Sequence, residues 1–81
     1  MQREEIQEKV IAIVAAEAQK KVEEVTLESS VSNDLGLDSL DRVEIEMNCD
    51  KEFGINTPVD DISDLDTVKE IVDYIDNRLN D

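Results

Sequence analysis

Apolar side chains in this sequence return every three or four residues, and that rhythm constrains the fold more than any other feature. Val68, Ile71, Val72, Ile75 and Leu79 make one such stripe; Ile6, Val10, Ile13 and Val14 make another. Spacings of this kind line one face of an α-helix, whereas a half-buried strand would alternate every second residue. The first stripe predicts a helix over residues 67–79. Thr67 with Glu70 matches a capping box there, while Asp66 competes as the N-cap, and the sequence leaves both open. The second stripe predicts a helix over residues 3–20, with Gln7, Lys9 and Glu17 among its polar positions.

Between these helices, residues 26–37 (TLESSVSNDLGL) have the serine, asparagine, aspartate and glycine content of a long loop. Leu27, Val31, Leu35 and Leu37 are expected to pin it to the core. A further helix should begin at Asp38 or Ser39 and end near Phe53 and Gly54. Asp38 is a candidate N-cap, Asp41 adds negative charge where the helix dipole favours it, and Gly54 is a suitable stop. A short helical turn is expected after Pro58, with Val59 and Ile62 facing inward. No stretch reads as a strand pair. The expectation is an all-α, small four-helix bundle, with three main helices plus one short helix and a long loop between the first two, forming a single domain over residues 1–81.

Twenty-two acidic residues against eight basic ones give a net charge of -14. Such a chain repels nucleic-acid phosphates and is drawn to basic protein patches. Crowded carboxylates are expected to repel one another in the folded state, raising their pKa values and lowering stability as pH rises. Cys49 is the only cysteine, which fits a reducing compartment. The first residues lack the basic-then-apolar order of a signal peptide, and the longest apolar run, VIAIVAA, is too short to span a bilayer. A soluble, cytoplasmic chain is expected.

Ser39 stands out at the start of the second main helix. A serine nucleophile needs a base and an oxyanion hole, yet the chain has no histidine and the surroundings of Ser39 are acidic. The G-x-S-x-G elbow is absent, since two residues separate Gly36 from Ser39 and Asp41 takes the second glycine position. No catalytic residue and no enzyme activity are expected. The usual zinc ligand sets are absent, and an EF-hand loop would need aspartate where Val31 stands, so no metal site is expected. Cys49 reads as a small buried apolar residue. A serine in the first turn of a helix does lie beside free amides and the positive dipole end, which accommodate a phosphate ester.

Residues 34–44, DLGLDSLDRVE, resemble the Asp-Leu-Gly-x-Asp-Ser-Leu signature of acyl carrier proteins. The resemblance covers nearly the whole chain, through EEVTLESSV before the motif, EFGI and a proline after it, and TVKEIVDYI in the last helix. It implies that Ser39 receives 4′-phosphopantetheine from coenzyme A, through a phosphopantetheinyl transferase that brings its own base and magnesium. The arm's thiol would carry acyl groups as thioesters in fatty acid or related lipid biosynthesis. Partners would include acyl-transfer, condensing and reducing enzymes with basic patches, and the carrier would be a monomer.

Asp38, Leu40, Asp41, Val43, Glu44 and Met47 are the expected partner-binding residues, with Leu40, Val43 and Met47 forming an apolar ridge flanked by carboxylates. Ile45, Cys49, Phe53, Ile62, Leu65, Ile71 and Ile75 match the positions that shelter an acyl chain in the family. Arg42, Glu46, Asn48, Lys51, Cys49, Thr57 and Ile71 depart from the commoner fatty-acid carriers, which points to a specialised cargo or pathway. Carriage of polyketide, peptidyl or aminoacyl intermediates is the alternative within the class. An unmodified acidic helical adaptor is the alternative outside it.

Overall fold

The computed structural model describes residues 1–80, with the side chains of residues 59 and 62 outside the described set. Four α-helices follow in order: α1 (Arg3–Ala18), α2 (Ser39–Phe53), α3 (Val59–Ile62) and α4 (Val68–Asn80). A 3-10 turn, Val22–Glu24, lies between α1 and α2 and is too short to have a periodic signature. The all-α bundle expected from the stripes is the observed fold.

α1 packs against both α4 and α2. Ile6, Val10, Val14, Val68 and Val72 are completely buried, and Ala15, Ile45, Cys49, Ile71 and Ile75 complete the interior around them. Burying a valine side chain of this kind contributes about 1.5–3 kcal/mol. Ile13, expected on the buried stripe of α1, is only partly buried, and Ala15 is buried in its vicinity.

α1 ends at Ala18 rather than at residue 20. Gln19 turns into the left-handed region at φ 57°, and the Lys20 amide donates back to the Ala15 carbonyl at 2.9 Å. That closure engages the Ala15 and Ala16 carbonyls but places a non-glycine residue where glycine is normally preferred.

The long connection is fastened rather than floating. Val25 and Val31 are buried, while Leu27, Leu35 and Leu37 pack against the core from its edge. Backbone hydrogen bonds join it to the start of α4, from Val31 to Asp66 at 2.9 Å, Val68 to Ser29 at 3.1 Å and Lys69 to Leu27 at 2.9 Å. Of the two candidate caps that the sequence left open, Thr67 takes the role and Asp66 takes another. Glu70 accepts from the Thr67 amide at 2.9 Å while the Glu70 amide donates to the Thr67 hydroxyl at 3.2 Å, so Thr67 caps α4. Asp66 instead accepts from the Ser30 hydroxyl and from the amide and hydroxyl of Ser32, stapling the loop in place.

Pro58 precedes α3 as expected. The expectation that Val59 and Ile62 face inward lies outside the described residues. Thr57 is buried, and its hydroxyl and amide donate to the two oxygens of Asp50 at 2.6 and 3.0 Å. The polar side chain is therefore satisfied in a place where a hydroxyl would otherwise be a liability.

Candidate modification site at the start of α2

Asp38 sets the site. Its carboxylate accepts from the Asp41 amide at 3.0 Å, and the Asp41 carboxylate accepts from the Asp38 amide at 3.2 Å. This reciprocal pair is a capping box, a stronger arrangement than the simple cap expected from the sequence. It fixes Ser39 as the first helical residue. Ser39 is exposed, and no hydrogen bond among the described residues engages its hydroxyl. The amides of Ser39 and Leu40 also lack backbone partners among the described residues. An anion attached at this hydroxyl would meet free donors and the positive end of the helix dipole.

The ridge expected to meet partners stands out from the surface. Leu40 is 75 % exposed, Met47 56 % and Val43 37 %, with Glu44 exposed and Asp41 half-buried beside them. Glu17, a polar residue of α1 in the sequence, is brought against Asp41 by the α1–α2 packing. Its pKa is raised, first by the close approach of the Asp41 carboxylate, then by burial and by the charges of Asp41, Glu44 and Asp38. Asp41 is held low, chiefly by the Asp38 amide and then by Glu17. Nothing in the spacing of residue 17 signals this meeting, because it depends on how two helices pack.

The expected rise of carboxylate pKa values through mutual repulsion holds at two positions and fails at four. Glu17 and Glu46 are raised, the latter by burial and then by the charge of Asp50. Asp41, Asp66, Glu70 and Asp73 are lowered instead. The largest causes are hydrogen bonds: from the Asp38 amide to Asp41, from Ser30 to Asp66, from the Thr67 amide to Glu70 and from Lys69 to Asp73. Local donors outweigh the diffuse field at these positions.

An apolar crevice opens between α2, the loop and the start of α4, lined by Val31, Arg42, Ile45, Leu65 and Ile71. Its free space is about 10 Å³, room for roughly one water. Ile45, Leu65 and Ile71 are thus brought together, whereas Cys49, Phe53 and Ile75 lie in the core and do not line it. The side chain of Ile62 lies outside the described residues. Val31 and Arg42 are crevice residues that the sequence did not single out for the role. Val31 reaches it from the loop, and Arg42 reads locally as a surface charge.

Cys49 is buried, and burial pushes its thiol up to about 12, with the charges of Asp50, Glu46 and Glu52 adding to the effect. It is a packing residue and not a nucleophile at neutral pH. Among the described residues, no cluster of histidine, cysteine or carboxylate side chains could hold a metal ion. Among the described residues, no helix is long and apolar enough to cross a membrane.

An exposed hydroxyl at a capped helix start, ringed by carboxylates and followed by an apolar ridge, defines a helical domain that presents a group for attachment. The family model for the phosphopantetheine attachment site matches residues 8–75. The chain is 45% identical over 75 residues to an acyl carrier protein of Porphyromonas gingivalis, covering 93% of this chain and 96% of the relative. It is 42% identical over 79 residues to one of Thermosynechococcus vestitus, covering 98% of each. Over 70 residues it is 41% identical to one of Rickettsia bellii, covering 86% of this chain and 81% of the relative. The chain belongs to the phosphopantetheine-attachment family, that of the acyl carrier proteins. Its cofactor is accordingly covalent 4′-phosphopantetheine, and the chain is a carrier rather than an enzyme. The unengaged hydroxyl and amides at the start of α2 fit the phosphate end of such an arm.

Proposed function

We propose that the chain is a single acyl-carrier domain spanning residues 1–81, with its phosphopantetheine arm on the Ser39 hydroxyl. Acyl intermediates ride on the arm's thiol as thioesters, in fatty acid or related lipid biosynthesis in the cytoplasm. The observation that carries this reading is the exposed, unengaged Ser39 side chain at the capped start of α2. Attachment transfers the phosphopantetheinyl group from coenzyme A to the serine oxygen and releases the nucleotide portion. The transferase removes the serine proton, because the chain has no histidine to do so.

Leu40, Val43 and Met47 form the apolar part of a docking face for the transferase and for acyl-transfer, condensing and reducing enzymes. Asp38, Asp41 and Glu44 supply the charge that steers basic partners toward it. Ile45, Leu65 and Ile71 are the inner contacts for a sheltered acyl chain, with Cys49, Phe53 and Ile75 supporting them from the core. The domain works as a monomer.

Incubation with coenzyme A and a phosphopantetheinyl transferase, followed by intact-mass measurement, tests the assignment. The wild-type chain should gain one arm, and Ser39→Ala should gain none while keeping the same helical circular dichroism. An adduct on the folded Ser39→Ala variant would refute the attachment residue.

A further inference from the structure

The apolar crevice has a cationic rim. Val31, Ile45 and Ile71 are buried within it, whereas Arg42 and Leu65 are half-buried and so form its outer edge. Arg3, Lys9 and Lys69 make the ion pairs among the described residues, and Arg42 takes part in none. Asp66 lies close enough for its charge to feel Arg42, but both Asp66 oxygens are already engaged by Ser30 and Ser32. In a chain of net charge -14, this arginine lines an apolar wall while no ion pair among the described residues uses its donor fork.

We propose that Arg42 is a specificity-determining residue, selecting acyl cargo that bears an oxygen on its β-carbon over a plain alkyl chain of equal length. The proposal rests on the reading of Ser39 as the residue that bears the arm. A chain entering methyl end first leaves its thioester and β-carbon at the rim, beside the half-buried guanidinium. A β-hydroxyl or β-keto oxygen there accepts a charge-assisted hydrogen bond. The thioester carbonyl is common to both cargoes, but a saturated chain offers no acceptor at its β-carbon and displaces water from the guanidinium there, which penalises its entry. The free space of about 10 Å³ obliges the walls to part for any chain. Arg42 has no ion pair among the described residues to break when they do.

The test loads the apo protein enzymatically from octanoyl-coenzyme A and from 3-hydroxyoctanoyl-coenzyme A, with intact mass verifying each product. Thermal unfolding then compares each acyl form with the form carrying the bare arm. In the wild type the 3-hydroxyoctanoyl form should melt about 4 °C or more above the octanoyl form. Arg42→Met keeps an unbranched apolar stem without the donors, and should abolish or reverse that order; Arg42→Lys should keep part of it. Equal melting of the two wild-type acyl forms, or an unchanged preference in Arg42→Met, would overturn the proposal. Failure of the wild type to take up any arm would refute the attachment reading, and the proposal would fall with it.

Discussion

Replacing Asp66 by alanine should loosen the long loop from the start of α4. The Asp66 carboxylate accepts from the Ser30 hydroxyl, from the Ser32 hydroxyl at 2.8 Å and from the Ser32 amide at 3.3 Å. Hydrogen bonds to a charged group contribute about 1.5–3 kcal/mol each when shielded. Only the Ser30 bond is part-buried, and the two to Ser32 are exposed and contribute less. A total of about 2 kcal/mol follows, with the backbone bond from Val31 to the Asp66 carbonyl left intact. For a chain of this size that corresponds to a fall in melting temperature of about 8–15 °C.

The pH dependence has a definite sign. The serine donors hold the folded-state pKa of Asp66 below its ordinary value. Its contribution is therefore fully present above the unfolded value of about 3.9 and disappears as pH falls through the lower folded value. Circular-dichroism melts of wild type and Asp66→Ala at pH 7 and pH 3 measure both effects. The gap should be wide at pH 7 and narrower at pH 3. A gap below about 0.5 kcal/mol at pH 7, or one that stays constant with pH, would refute the reasoning.

Three other outcomes follow from the same geometry. Gln19→Gly relieves the left-handed backbone that ends α1 and should stabilise the chain by about 0.5–1 kcal/mol in urea unfolding; a loss of stability would contradict this. Cys49 should resist iodoacetamide at pH 8 in the native protein and react once the chain is unfolded in urea, because burial holds its thiol at about 12. Glu44→Lys, on the exposed face beside the ridge, should slow arm attachment about three- to tenfold at low ionic strength, with the difference shrinking in high salt; equal rates at low salt would remove Glu44 from the docking face.

Features that depend on neighbouring residues were legible in the sequence. The α4 stripe, the start of α2 at Asp38–Ser39 and its stop at Gly54 all rest on interactions spanning a few residues, and the structure has each of them. The exposed ridge of Leu40, Val43 and Met47 was legible for the same reason, since these residues share a helix face that the buried set of α2 leaves free.

What the sequence left undecided depends on distant partners. Asp66 and Thr67 are equally good caps locally, and only Ser30 and Ser32, arriving from the loop, separate their roles. Glu17 meets Asp41 only because α1 packs against α2. The crevice combines Val31 from the loop with Arg42 from α2 and Ile71 from α4, three segments that no local pattern joins. Charge counting misjudged Asp41, Asp66, Glu70 and Asp73 because it registers the overall field and not the individual donors that outweigh it there.

The central claim is that the hydroxyl of Ser39, and no other, carries the arm. Fragment-ion mass spectrometry of the loaded wild-type chain, after digestion on either side of α2's first turn, tests it most directly. The account predicts that the phosphopantetheine mass sits on Ser39 in essentially every loaded molecule. Its appearance on Ser29, Ser30, Ser32 or Ser63, with Ser39 unmodified, would contradict it.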